Sequence, residues 1–143
     1  MRTRTVQEPR TFADRVCEAT NSHDVGRVVD CFTEDYVNET PAHPARGFRG
    51  HDQVRRNWTQ IFAAVPDIEA KILRSHQAGD TVWSEWEMRG TRKDGARHLM
   101  CGVMIFTVSG DRARAVRFYL EPVELDGVDV DTAVQQTLAQ AGP

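Results

Sequence analysis

Phe12, Val16 and Cys17 recur at helical spacing behind Thr11, a residue type that caps helix N-termini. Val25, Val28, Val29 and Phe32 then repeat at i, i+3, i+4 and i+7, which predicts a second short amphipathic helix. Tyr36 to Thr40 reads as a short extended piece, and TPAHPARGFRG, with its prolines and glycines, as a loop. A third helix carries Val54, Trp58, Ile61, Phe62 and Val65 on one stripe and stops at Pro66.

Beyond Pro66 the period changes from 3.6 to 2. Ile68, Ala70 and Ile72 alternate with acids and a lysine, and Val82, Ser84, Trp86 and Met88 alternate with Trp83, Glu85, Glu87 and Arg89. Turn signals at AGD (78 to 80), KDG (93 to 95) and SGD (109 to 111) divide the stretch into four antiparallel strands in a meander. Val130, Val134, Leu138 and Ala141 close the chain as a short helix or a tail. The expected organisation is a tail over residues 1–10, one domain over 11–124 and a C-terminal tail or helix over 125–143. Helices first and a meander afterwards predict an α+β domain in which helices cover one face of a curved sheet, with a ligand-sized cavity between the layers.

Composition narrows the function classes. A chain of 143 residues with 40% apolar residues has the size and make-up of one globular domain. No apolar run approaches the ~18 residues of a membrane span, and the arginine-bearing N-terminus lacks a signal core, so a soluble, cytoplasmic protein is expected. Net charge is −3 and the 18 basic residues are dispersed, which argues against nucleic acid as a partner, and with no long apolar run no membrane partner is expected. Cys17, Cys31 and Cys101 are far apart within apolar patterns and read as reduced thiols. The five histidines, His23, His43, His51, His76 and His98, show no metal-ligand spacing, so no metal is expected.

The stretch RFYLEP, Arg117 to Pro122, holds the leading candidate chemistry. Period 2 puts Arg117, Tyr119 and Glu121 on one face of the last strand and Val116, Phe118 and Leu120 on the other. A carboxylate sheltered in an apolar cavity exchanges protons near neutral pH, with Tyr119 donating to a developing oxyanion and Arg117 binding a substrate carboxylate. The alternative is a strand-end ion pair between Arg117 and Glu121 on a solvated face. Trp58, Trp86, Met88 and Phe106 are expected where core and cavity wall merge. His98 on the third strand of the meander and His43 in the loop are placed near the opening, and Asn38 on the short extended piece is able to orient a ligand carbonyl or a water. Trp83, on the opposite strand face from Trp86, is expected at the convex surface as a dimer contact.

The order FADRVCEATNSHDVGRVVDCFTEDYV, ARGFRGHDQVRRNWTQIFAAVPDI, GDTVWSEWEMRGTRKDG and VMIFTVSGDRARAVRFYLEPVE resembles the SnoaL-like family of the NTF2-like superfamily over residues 11 to 124. That resemblance implies a cone-shaped α+β fold, a curved antiparallel sheet with three helices covering its concave face, and often a homodimer through the exposed sheet face. It also implies a cavity site with one carboxylate and neither metal nor organic cofactor. Polyketide cyclases of the family carry an acid/base aspartate at the end of the last strand, where this sequence has Glu121, and a histidine on the neighbouring strand, where it reads MIFT. Relatives include ketosteroid isomerases, epoxide hydrolases, dehydratases and binding modules. The expectation is therefore a cofactor-independent enzyme acting on a polyketide-like or other apolar carbonyl compound through Glu121, or else a non-catalytic binding module of the same fold.

Overall fold

The computed structural model describes residues 9–140, so most of the expected N-terminal tail lies outside the described residues. Helix α1 spans Phe12–Ser22, and Thr11 caps it as expected: its side chain accepts from the Ala13 backbone N–H while the Asp14 carboxylate accepts from the Thr11 N–H. Helix α2 spans only Val25–Val29. Phe32 shares its apolar spacing but opens strand β1, Phe32–Glu39, because the chain leaves the helix at Asp30. The expected extended piece at 36–40 is thus the second half of a longer strand. The proline-rich loop after it contains a 3₁₀ turn, Pro44–Arg46, and a two-residue strand β2, Phe48–Arg49. Helix α3 runs His51–Ala64, just short of Pro66.

The meander follows as β3 (Glu69–Ala78), β4 (Thr81–Thr91), β5 (Arg97–Ser109) and β6 (Arg112–Pro122). The chain order of the sheet is β2-β1-β6-β5-β4-β3, six strands rather than four. All pairings are antiparallel except β1 with β6, which run parallel, a departure from the all-antiparallel sheet expected. That pairing brings the end of β1 and the loop after it alongside the end of β6. Helix α1 packs on β3 and β4, and α3 on α2 and β1, so these three helices cover one face of the sheet. The period-2 pattern decides which face: Ala70, Ile72, Val82, Trp86, Met88, Met104, Phe106, Val116 and Leu120 are buried beneath them.

Trp86 is fully buried, and its indole N–H donates to Ser84 Oγ at 2.8 Å, which in turn donates to the Met104 carbonyl at 2.7 Å. A polar pair is tolerated at this depth because both donors are satisfied. At the outer edge of β3, the Asn21 side chain accepts from the Ala70 N–H at 2.7 Å and donates to the Ala70 carbonyl at 2.9 Å, so an α1 side chain imitates a neighbouring strand. Helix α4, Val130–Ala139, ends the described chain, with Val130, Val134 and Leu138 all exposed. No helix among the described residues is long and apolar enough to cross a membrane.

The close approach of β6 to β5 requires a glycine at position 102. Its φ of +149° is one that side chains disfavour, and a Cβ there would stand 2.1 Å from the Tyr119 carbonyl oxygen on β6. Gly102→Ala is therefore expected to lower stability by at least about 2 kcal/mol, from backbone strain and overpacking together. Urea unfolding followed by tryptophan fluorescence measures it, and an unchanged midpoint would remove Gly102 from this account.

Candidate functional site

Between α3, β1 and the concave face lies a cavity of about 290 Å³, at the lower end of the size range of small-molecule sites. Its walls are chiefly apolar: Trp58 and Ile61 from α3, Met88 from β4, Met104 and Phe106 from β5, and Phe118 and Leu120 from β6. Aromatic contacts hold them in place. Phe12 meets Phe106 edge-on at 5.2 Å between ring centres, and Trp58 leans on Phe62 at 5.3 Å.

Alternate residues at the end of β1 and just beyond it supply one polar stretch of the wall. Tyr36, Asn38 and Thr40 all line the cavity, while Glu39 between them points outward to Arg117 at 3.3 Å. The three form a chain: the Thr40 hydroxyl donates to Asn38 Oδ1 at 3.2 Å, and the Asn38 amide donates to the Tyr36 hydroxyl oxygen at 3.4 Å. Tyr36 is only 3% exposed and rests against Phe32 and Phe48. Burial pushes its phenol well above the ordinary range, opposed by the Asn38 hydrogen bond, so the group keeps its proton. That proton has no hydrogen-bond acceptor among the described residues.

His98 also lines the cavity, near the start of β5, and its ring nitrogens have no hydrogen-bond partner among the described residues. Burial, and then the positive charge of Arg92, lower its pKa below the usual histidine value, so the imidazole is neutral at physiological pH. Arg46 and Asn57 complete the polar lining. Asn57 Oδ1 accepts from Gln53 at 2.7 Å, and the Asn57 N–H₂ group remains without a protein acceptor among the described residues.

The sequence-predicted residues divide accordingly. Asn38, Trp58, Met88, His98 and Phe106 line the cavity. Trp86 does not, since it is sealed within the core beneath the helices. Arg117, Tyr119 and Glu121 stand on the outer face of β6, opposite the cavity-lining Phe118 and Leu120. Neither the sheltered Glu121 nor the Arg117–Glu121 pair is present. Arg117 engages Glu39 and the Tyr119 hydroxyl, and Glu121 meets His43 at 3.2 Å with both side chains well exposed. The reason is the strand's own alternation: the cavity is continuous with the core, so the face that buries Val116 and Leu120 is also the face that lines it. His43 accordingly lies outside the wall and ties the loop after β1 to the end of β6.

Tyr36, Thr40, Arg46 and Asn57 were not singled out from sequence. Tyr36 and Thr40 share the parity of Asn38, and Asn57, three residues after Val54 and four before Ile61, falls on the stripe of α3, signals that were available; Arg46, in an irregular loop, gave none. No carboxylate lines the cavity, and no cluster of three or more His, Cys, Asp or Glu able to hold a metal occurs among the described residues.

Solved structures share the fold. A protein of ketosteroid isomerase-like fold from Catenulispora acidiphila, crystallised with trimethylamine, superposes with a TM-score of 0.67 at 16% identity, covering 79% of this chain and 87% of its own. An epoxide hydrolase from M. tuberculosis superposes at 0.65 and 20% identity, covering 77% and 80%. The epoxide hydrolase/cyclase-like enzyme SalBIII, which acts in pyran-ring formation in the polyether salinomycin, superposes at 0.67 and 17%, covering 80% and 90%. At such identities the likeness speaks for the fold. No curated protein matches the sequence.

The His43–Glu121 pair is exposed on both sides, so Glu121→Gln is expected to cost less than about 1 kcal/mol in urea unfolding. A loss of several kcal/mol would mean that the loop depends on this contact far more than its exposure suggests. The model of the SnoaL-like domain matches residues 13–116, from the start of α1 into β6, and the chain belongs to that family, with the NTF2-like cone fold.

Proposed function

We propose that the protein is a cofactor-independent enzyme acting on a small, largely apolar compound that bears a carbonyl or similar oxygen, by moving a proton next to that oxygen. The observation that supports this most is the Tyr36 hydroxyl, buried in the cavity wall with a proton that no described residue accepts. A ligand oxygen taking that proton is polarised, and an enolate forming on it is stabilised by a donor already in position. His98 is the titratable group of the wall suited to receive the proton, because it is neutral near pH 7 and free to accept. Isomerisation, dehydration and ring closure through an enol all use these two roles, and polyketide-like carbonyl compounds fit the apolar wall. In this reading Glu121 holds the loop and handles no proton.

A binding module of the same fold is the second reading, favoured by the lack of a carboxylate in the described wall. Deuterium exchange at the α-carbon of cyclic ketones, followed by NMR and paired with calorimetric binding, separates the two. His98→Asn is expected to retain binding and to lose at least about tenfold in exchange rate. Tyr36→Phe is expected to weaken binding about two- to tenfold. Saturable binding without exchange would favour the module, and no binding at all would sink both readings.

The pH profile gives a further check. A base works deprotonated, and the His98 pKa lies below its ordinary value, so exchange is expected to fall only as pH drops through that lowered pKa and to be level at neutrality. A rise extending above pH 7 would exclude His98 as the base.

The homodimer is proposed through the outer sheet face, where Trp83 is 51% exposed and Leu73, in the bulge of the adjacent strand, is exposed as well. Light scattering is expected to find a dimer that Trp83→Asp converts to monomer; a monomeric native chain would refute it.

A further inference from the structure

We infer that the ligand of this cavity is an anion, an apolar compound carrying a carboxylate, with its charged end held by Arg46 and its body inside. The inference rests on the cavity being a ligand site, as proposed above. Its basis is an imbalance of charge and hydrogen bonding in the wall. Arg46 lines the cavity from the 3₁₀ turn and makes no ion pair or side-chain hydrogen bond among the described residues. Glu39, at the end of β1, and Glu121, near the end of β6, are engaged outside it, Glu39 by Arg117 at 3.3 Å and Glu121 by His43 at 3.2 Å.

The neutral polar groups point the same way. The Asn57 N–H₂ group, the Trp58 indole N–H and the Tyr36 O–H all belong to cavity-lining residues and lack a protein acceptor among the described residues. On the accepting side, Asn38 Oδ1 already takes the Thr40 proton and the Tyr36 oxygen an Asn38 proton, so the open acceptors, one His98 ring nitrogen and the Thr40 oxygen, are outnumbered by the open donors. A wall with spare donors, an uncompensated guanidinium and no carboxylate favours ligands rich in acceptors over ligands rich in donors. Arg46 is exposed, so it belongs to the opening, and the carboxylate is placed there while the apolar part meets Trp58, Met88 and Phe106. Arginine suits this role because its planar fork takes a carboxylate through two hydrogen bonds.

The test is calorimetric titration with 2-naphthoate and with its uncharged counterpart, 2-naphthamide, at low and at raised salt. Naphthoate is expected to bind about five- to tenfold more tightly, the preference of a partly solvated charge-assisted contact, and to lose that margin in salt. In Arg46→Gln the preference disappears, chiefly through loss of naphthoate affinity. Equal affinities in the native protein, or a preference that survives Arg46→Gln, overturn the inference. Naphthamide bound as tightly as naphthoate leaves the ligand cavity standing and removes only the anion; failure of both probes removes the two together.

Discussion

One face of one sheet serves here as both core and cavity wall, and everything else follows from that sharing. The concave surface packs against α1 at β3 and β4 and against α3 at β1, with α2 between the two helices, and where the helices part it is left to enclose a space. Each inward position along a strand must therefore suit burial, whether a helix or a ligand lies opposite. Water-seeking side chains on these strands are driven to the convex side. The wall of the cavity is apolar for a structural reason before any functional one.

Polar groups enter such a wall where folding tolerates them, and the end of β1 carries a connected set of them. Held parallel to β6, it brings Tyr36, Asn38 and Thr40 inward on alternate residues, each supporting the next through a hydrogen bond. The chain of three satisfies most of its own capacity, which makes it affordable in a buried site, and leaves a hydroxyl proton over. Neutral groups of this kind cost far less to enclose than a carboxylate does. The cavity thus has a polar end without an ionised acid in it.

How much of this was legible in the sequence depended on the range of the interaction involved. Helix α1 was written in Thr11 and its apolar stripe, α3 in the spacing of Val54, Trp58 and Ile61, and the meander in three turn signals, all local. The pairing of β1 with β6 was not, because it joins segments about 80 residues apart and no local pattern announces a parallel neighbour. Phe32 looked helical for the same reason: its spacing matched α2, and only the tertiary pairing with Ala113 makes it a strand residue. Glu121 is a different case. The alternation in RFYLEP already put Phe118 and Leu120 on the buried side, and a buried side continuous with the cavity sends Glu121 outward; the family's expectation for that position concealed what the parity of the strand stated.

Asn21 has a consequence beyond the folding of α1. Strand β3 is the last in the sheet, and a terminal strand offers its open amide groups to any extended peptide that drifts against it. By occupying both groups of Ala70, with His23 taking up the neighbouring Ile68 carbonyl, the helix denies a second molecule that zipper, so recruitment of foreign strands into amyloid-like stacks is blocked along this stretch of the molecule.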